Sequence, residues 1–169
     1  MKNTKPSHSI RINNYKEYRE DIKRFAEGKY NSLIVLGNTG LGKTEAIKEA
    51  VKNHLIYEGG EPSAFQFYCD LYKHRDDFVI LDDVSPKFFK DHKTNSYLKI
   101  LTNTVRIKTM GWPTSTLGPY TDPPNRFETQ SRVVILANEW QSLNEHIRAI
   151  EGRSFSFRFE PDATEVHLD

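Results

Sequence analysis

Tyr15, Tyr18, Ile22 and Phe25 recur at steps of three and four, with Asn13 or Asn14 placed as a cap and Gly28 as a stop, so the spacing predicts one amphipathic helix. Residues 1–12 before it read as a flexible polar leader. Ser32 to Leu36 is a short apolar run ending in glycine, as expected of a strand covered on both faces. Ala46, Ile47, Ala50, Val51 and Leu55 then repeat with helical spacing, and Gly59-Gly60 closes that segment.

Ala64 to Cys69 reads as a second strand and Phe78 to Leu81 as a third, fully buried one. The link between them is shorter than a parallel crossover normally needs, which leaves the direction of the second strand open. Tyr97, Ile100, Leu101 and Val105 mark a further helix starting at Thr94 or Asn95. Val133 to Ala137 is a fourth strand and Phe155 to Phe159 a fifth. Between them and the preceding helix, Thr109 to Arg132 is rich in Pro, Gly, Thr and Ser and lacks periodicity, as a functional or mobile loop does. Strands alternating with helices predict an α/β three-layer domain over 13–169 with a largely parallel, five-stranded sheet.

Composition narrows the class without changing that outline. The chain has 169 residues, a net charge of +1 and 37 % apolar residues, which suits a single globular domain and excludes a disordered chain. No run approaches the ~20 apolar residues that span a bilayer, and no signal-peptide pattern follows Met1, so a cytoplasmic protein is expected. The one cysteine, Cys69, excludes an internal disulfide and zinc-ligand spacings.

Gly37-Asn38-Thr39-Gly40-Leu41-Gly42-Lys43-Thr44 satisfies G-x-x-x-x-G-K-[ST] in full, between an expected strand and an expected helix. Glycines let successive backbone N–H groups turn inward around an anion, and the following helix aims its positive end at it. The pattern predicts a phosphate-binding loop for ATP, with Lys43 on the β and γ phosphates and Thr44 ligating Mg²⁺.

Two further apolar strands end in polar residues where ligands of parallel sheets bind. Asp82 and Asp83 follow Phe78–Leu81: Asp82 would hold Mg²⁺, and Asp83 would polarise an attacking water. Asn138 follows Val133–Ala137 and would orient that water or contact the γ phosphate; the competing reading is a cap on the next segment. Glu139 beside it is less favoured.

These elements, in this order, resemble those of the AAA+ and helicase superfamily 3 ATPases. The resemblance runs from about Ser32 to Pro161. It makes Gly37–Thr44 the Walker A loop, Asp82 and Asp83 the Walker B acids, and Asn138 the sensor-1 or motif C residue. It also makes Arg153 a candidate arginine finger acting on a neighbour's nucleotide, with Arg148 and Arg158 behind it, and implies a closed ring, a hexamer in the family. The chain departs from the family pattern in its Asp-Asp pair, where Asp-Glu is common, and in ending before the helical lid that usually follows. Without that lid the chain alone is compatible with a monomer.

Lys87, Lys90, Lys93, Lys99, Arg106 and Lys108 face a single acid, Asp91, between Ser85 and Lys108. Beside Phe88, Phe89 and Tyr97 they could follow a phosphate backbone and stack on bases, or form an ordinary solvated face over aromatics buried in the core. The 109–132 segment sits where the resemblance places a DNA-touching hairpin. The expected function is therefore an Mg·ATP-dependent ATPase acting on DNA as a helicase, helicase loader or replication protein. A small-molecule kinase and a slowly hydrolysing ATP-gated switch are the alternatives.

Overall fold

The computed structural model describes residues 10–38, 40–113, 115–138 and 148–162. Its main sheet has six strands, all parallel: β1 (Ile10–Ile12), β2 (Leu33–Leu36), β3 (His54–Glu58), β4 (Phe78–Asp82), β7 (Val133–Ala137) and β8 (Phe155–Phe159), in the order β1-β8-β2-β7-β4-β3. A separate antiparallel pair joins β5 (Lys108–Gly111) to β6 (Arg126–Thr129).

Alternation along each central strand sends side chains to two layers of helices. Leu33 and Val35 point into a core with Tyr18, Ile22, Phe25 and Ile47 from α1 (Tyr15–Ala26) and α2 (Lys43–Ala50). Ile34 and Leu36 point into the other core. There they meet Phe67 and Leu71 of α3 (Ala64–Lys73), Phe88 and Phe89 of α4 (Pro86–Lys90), Leu98 and Leu101 of α5 (His92–Leu101) and Ile150 of α6 (Arg148–Glu151). Each such fully buried side chain stabilises the fold by about 1.5–3 kcal/mol. Helices on both faces of a parallel sheet agree with the expected α/β class.

Four elements differ from the sequence reading. Ala64 to Cys69 is not a strand; it opens α3, because Ser63 accepts a hydrogen bond from the Gln66 N–H at 3.1 Å and Phe67, Tyr68 and Leu71 share one buried face. The second strand is β3, and α2 ends at Ala50 with Val51 already extended, so Leu55 belongs to a strand rather than a helix. With α3 as its crossover helix, β3 pairs parallel to β4, and the direction left open is fixed. Ile10–Ile12, counted with the leader, adds a sixth strand beside β8. The 109–132 segment contains β6 and most of β5, whose four-residue length gives no detectable period.

Caps decide the open boundaries. Asn14, not Asn13, caps α1, accepting from the Glu17 N–H at 2.8 Å. Asp91 ends α4 and caps α5 at once, accepting from the Thr94 N–H at 2.9 Å, so α5 starts at His92 rather than at Thr94 or Asn95. Among the described residues no helix is long and apolar enough to cross a membrane.

Candidate functional site

β2, β7 and β4 are neighbours, and each ends in a segment singled out from the sequence: the glycine loop after Leu36, Asn138 after Ala137, and Asp82-Asp83. The ladder continues past the strands, with the Gly37 N–H on the Ala137 carbonyl at 3.1 Å and the Asp83 N–H on the Leu136 carbonyl at 3.0 Å. The three segments are thereby locked in register around one cleft of about 450 Å³.

The loop is built on backbone that side chains would obstruct. Gly40 and Gly42 lie at φ +83° and +72°, the left-handed region glycine enters without strain, and Gly42 is the N-cap of α2. A Cβ at Gly37 would stand 2.7 Å from the Phe159 carbonyl oxygen, too close for any other residue without a shift of β8. Leu41, partly buried, packs against the core on the α1 side. Asn38 is exposed at the start of the loop, and Thr39 lies outside the described residues, as does Glu139.

Lys43 is buried and donates its ammonium to the Gly37 carbonyl across the loop. Burial pushes its pKa down, while the Asp82 and Asp83 carboxylates pull it back up. Thr44 Oγ1 donates to Asp82 Oδ2 at 2.7 Å, so a hydroxyl and a carboxylate oxygen stand side by side at the cleft floor. Both are hard oxygen donors of the kind Mg²⁺ prefers, and that ion usually takes one or two protein groups with phosphate and water for the rest.

Asp83 is the one non-glycine at positive φ among the described residues, at +52°. For aspartate this conformation is accessible at modest cost, and it turns the chain sharply after β4 so that the side chain is exposed on the cleft. Asn138 is half-buried on the same cleft.

Four contributors escaped the sequence reading. Glu58 and Gly59 line the cleft from the end of β3, where Glu58 is in register with Asp82 and the Gly59 N–H bonds the Asp82 carbonyl at 2.7 Å. Glu58 also pairs with Lys48 of α2 at 2.8 Å. From α1, Tyr15 donates to the Leu41 carbonyl at 3.0 Å and Tyr18 to the Lys43 carbonyl at 2.8 Å. Burial first, then the nearby Asp82 charge, keeps the Tyr18 hydroxyl protonated and donating. Their helical spacing marked these tyrosines as core, and Gly59-Gly60 marked a helix end; neither pattern points to a loop brace.

The arginines are not brought to the cleft. Arg153 precedes β8 at the end of the sheet where strands begin, and its guanidinium donates to the Lys99 carbonyl at 2.9 Å. Arg148 is exposed at the start of α6. Arg158 sits in β8 opposite Leu36, 3.5 Å from Glu160.

Of the basic segment, Lys87, Lys90, Lys99 and Arg106 are exposed, and Lys93 holds its ammonium 3.6 Å from the centre of the Trp112 ring. Lys108 does not join that face. It is 3 % exposed and donates to the Ser131 carbonyl at 2.9 Å, because the alternation of β5 turns it inward with Met110. Phe88 and Phe89 are core residues, so they are not stacking surfaces for bases.

No protein-family model matches this sequence, and no similar protein is found among the curated proteins.

Proposed function

We infer that the chain is a P-loop ATPase of the AAA+ or superfamily 3 kind, binding Mg·ATP in the cleft formed by 37–44, Asp82, Asp83 and Asn138. One observation carries the reading. Three adjacent parallel strands deliver an anion-binding glycine loop, a magnesium-type hydroxyl–carboxylate pair and a polar amide to the same cleft, with a buried lysine beneath.

In this reading, backbone N–H groups of the loop and the Lys43 ammonium hold the phosphates. Thr44 and Asp82 would hold Mg²⁺, which supplies charge neutralisation on the β and γ phosphates. Asn138 orients a water and Asp83 accepts its proton as the water oxygen attacks the γ phosphorus, while the bond from that phosphorus to the β–γ bridging oxygen breaks and ADP leaves with that electron pair. Burial lowers the Lys43 pKa, and the Asp82 and Asp83 carboxylates oppose that shift. The brace from Tyr15 and Tyr18 fixes the loop in advance of binding, which spares the ordering cost that would otherwise weaken affinity.

The partner proposed is DNA, met by the exposed Lys87, Lys90, Lys99 and Arg106 and by the segment carrying β5 and β6. Arg153, remote from the cleft of its own chain, is compatible with service to a neighbour's cleft in a ring. The test is ATP hydrolysis by the purified chain with and without single-stranded DNA. Stimulation by DNA, and loss of Mg·ATP binding in Lys43→Ala, are expected. Unchanged nucleotide affinity in that variant would sink the reading, and phosphate transfer to a small acceptor would replace it with a kinase.

A further inference from the structure

The strands that end at the phosphate loop begin at a second cavity. Asn31 before β2, Phe78 at the start of β4 and Arg132 before β7 line it, and at about 490 Å³ it is slightly larger than the nucleotide cleft. That volume is in the range that takes a whole small molecule rather than a few waters. Of its lining, the ATPase reading uses Arg106 alone, as a DNA contact.

Its lining holds three cations, Arg106, Lys108 and Arg132, and three carboxylates, Glu27, Asp76 and Asp77. Among the described residues, none of those cations forms an ion pair with any carboxylate. Arg132 is consumed by the fold: its guanidinium donates to the Ala26, Phe25 and Tyr30 carbonyls between the rings of Phe25 and Phe78. Among the described residues the Arg106 guanidinium has one hydrogen bond, from Nε to Gln130 Oε1 at 3.2 Å.

Lys108 is the anomaly. An ammonium has three donors, and here they meet a single acceptor among the described residues, the Ser131 carbonyl. The residue is 3 % exposed, and a second positive charge, Arg132, acts on its ammonium. Buried charges are normally paired, since an unmatched one is strongly unfavourable away from water. A buried, under-satisfied cation that lines a roomy cavity is a seat for an anion. Asp76, exposed and without a partner among the described residues, offers the complementary acceptor.

We propose that this cavity binds a small molecule whose oxyanion, a phosphate or carboxylate, sits on Lys108 and Arg106, and whose amine or hydroxyl groups meet Asp76; Asp77 beside it is already bonded to His74 Nδ1 at 2.9 Å. The site is independent of the nucleotide reading. Its test uses the Lys43→Ala chain, in which the phosphate loop no longer competes, titrated at pH 7 with inorganic phosphate and with free O-phosphoserine and read by calorimetry and melting temperature.

Both probes should bind and raise the melting temperature, with O-phosphoserine tighter because its ammonium reaches Asp76. Adding Lys108→Met should weaken both by about tenfold or more, and adding the exposed Arg106→Gln by a few-fold. Adding Asp76→Asn should remove the advantage of O-phosphoserine and spare phosphate. Absence of binding by either probe, or undiminished affinity with both Lys108→Met and Arg106→Gln, overturns the site. Equal affinity for the two probes overturns the part assigned to the acids.

Discussion

Lys43 and Lys108 are buried ammonium groups at opposite ends of the same three central strands, and their surroundings treat the charge in opposite ways. Lys43 has two carboxylates close enough to support it, Asp82 and Asp83. Lys108 has a guanidinium, Arg132, and its pKa is pushed down to about 8 by burial and by that neighbour. At the first end carboxylates of the fold itself oppose the effect of burial on the cation. At the second end the fold itself supplies too little compensation for the cation it encloses.

The sharpest way to break the comparison is to delete each lysine in turn. Lys43→Ala should weaken Mg·ATP binding by about a thousandfold, the loss of several charge-assisted hydrogen bonds, as read by calorimetry. Lys108→Met should leave that affinity unchanged. Equal effects from the two variants would mean that the ends do not differ in function.

Asp83 tests the carboxylate side of the contrast. Asp83→Asn keeps a residue that tolerates positive φ and should hold Mg·ATP while turnover falls by about a hundredfold, the scale of a lost general base. Asp83→Ala should lose the same activity and about 1 kcal/mol of stability besides, because alanine at φ +52° is strained. Melting temperatures of the two variants, measured beside hydrolysis rates, separate chemistry from backbone.

How far each end could be read in the sequence follows from the same contrast. Leu33–Leu36, Phe78–Leu81 and Val133–Ala137 are uninterrupted apolar runs, visible because central parallel strands are covered on both faces. The glycine loop has fixed spacing, so its residues were legible by number. The other end depends on β5, whose sequence Lys-Thr-Met-Gly carries no strand signature. Lys108 therefore counted among exposed basic residues, and its burial depends on pairing with Thr129, twenty-one positions away. Ala64–Cys69 misled for a different reason: Phe and Tyr favour strands, but a serine cap and a one-sided buried face make a helix. The cleft residues that were missed, Glu58 and Tyr18, lie on elements whose register only the folded sheet reveals.

Arg132 shows that a cation at the second end can be matched when carbonyls surround it. It closes the C-terminal turn of α1, where unpaired carbonyls and the helix dipole favour positive charge. Arg132→Met should lower stability by about 2–4 kcal/mol, since it takes the guanidinium donor from the Ala26 and Tyr30 carbonyls and removes the ring contacts, while the Phe25 carbonyl keeps the Gly28 N–H. Urea denaturation would report it, and a loss below 0.5 kcal/mol (roughly the effect of an ordinary surface change) would mean that the cap is immaterial.

The smallest expected effect has a sign that separates the two lysines. Below pH 8 Lys108 is protonated in both the folded and the unfolded chain, so the fold bears the full penalty of the buried charge. Between about pH 8 and the unperturbed value of 10.5, the folded chain has released a proton that the unfolded chain keeps. The unfolded state then binds more protons, and stability rises with pH across that window. Relative to wild type, Lys108→Met should be more stable at pH 7 by about 2 kcal/mol, less than the full shift implies because the Ser131 carbonyl loses its donor. That advantage should shrink toward pH 10, as measured by urea unfolding of both chains at each pH. Adding saturating phosphate to wild type at pH 7 should shrink it as well, because an anion on Lys108 removes the penalty that deprotonation removes at high pH. A gap between the two chains that ignores both pH and phosphate would show that Lys108 carries no unbalanced charge.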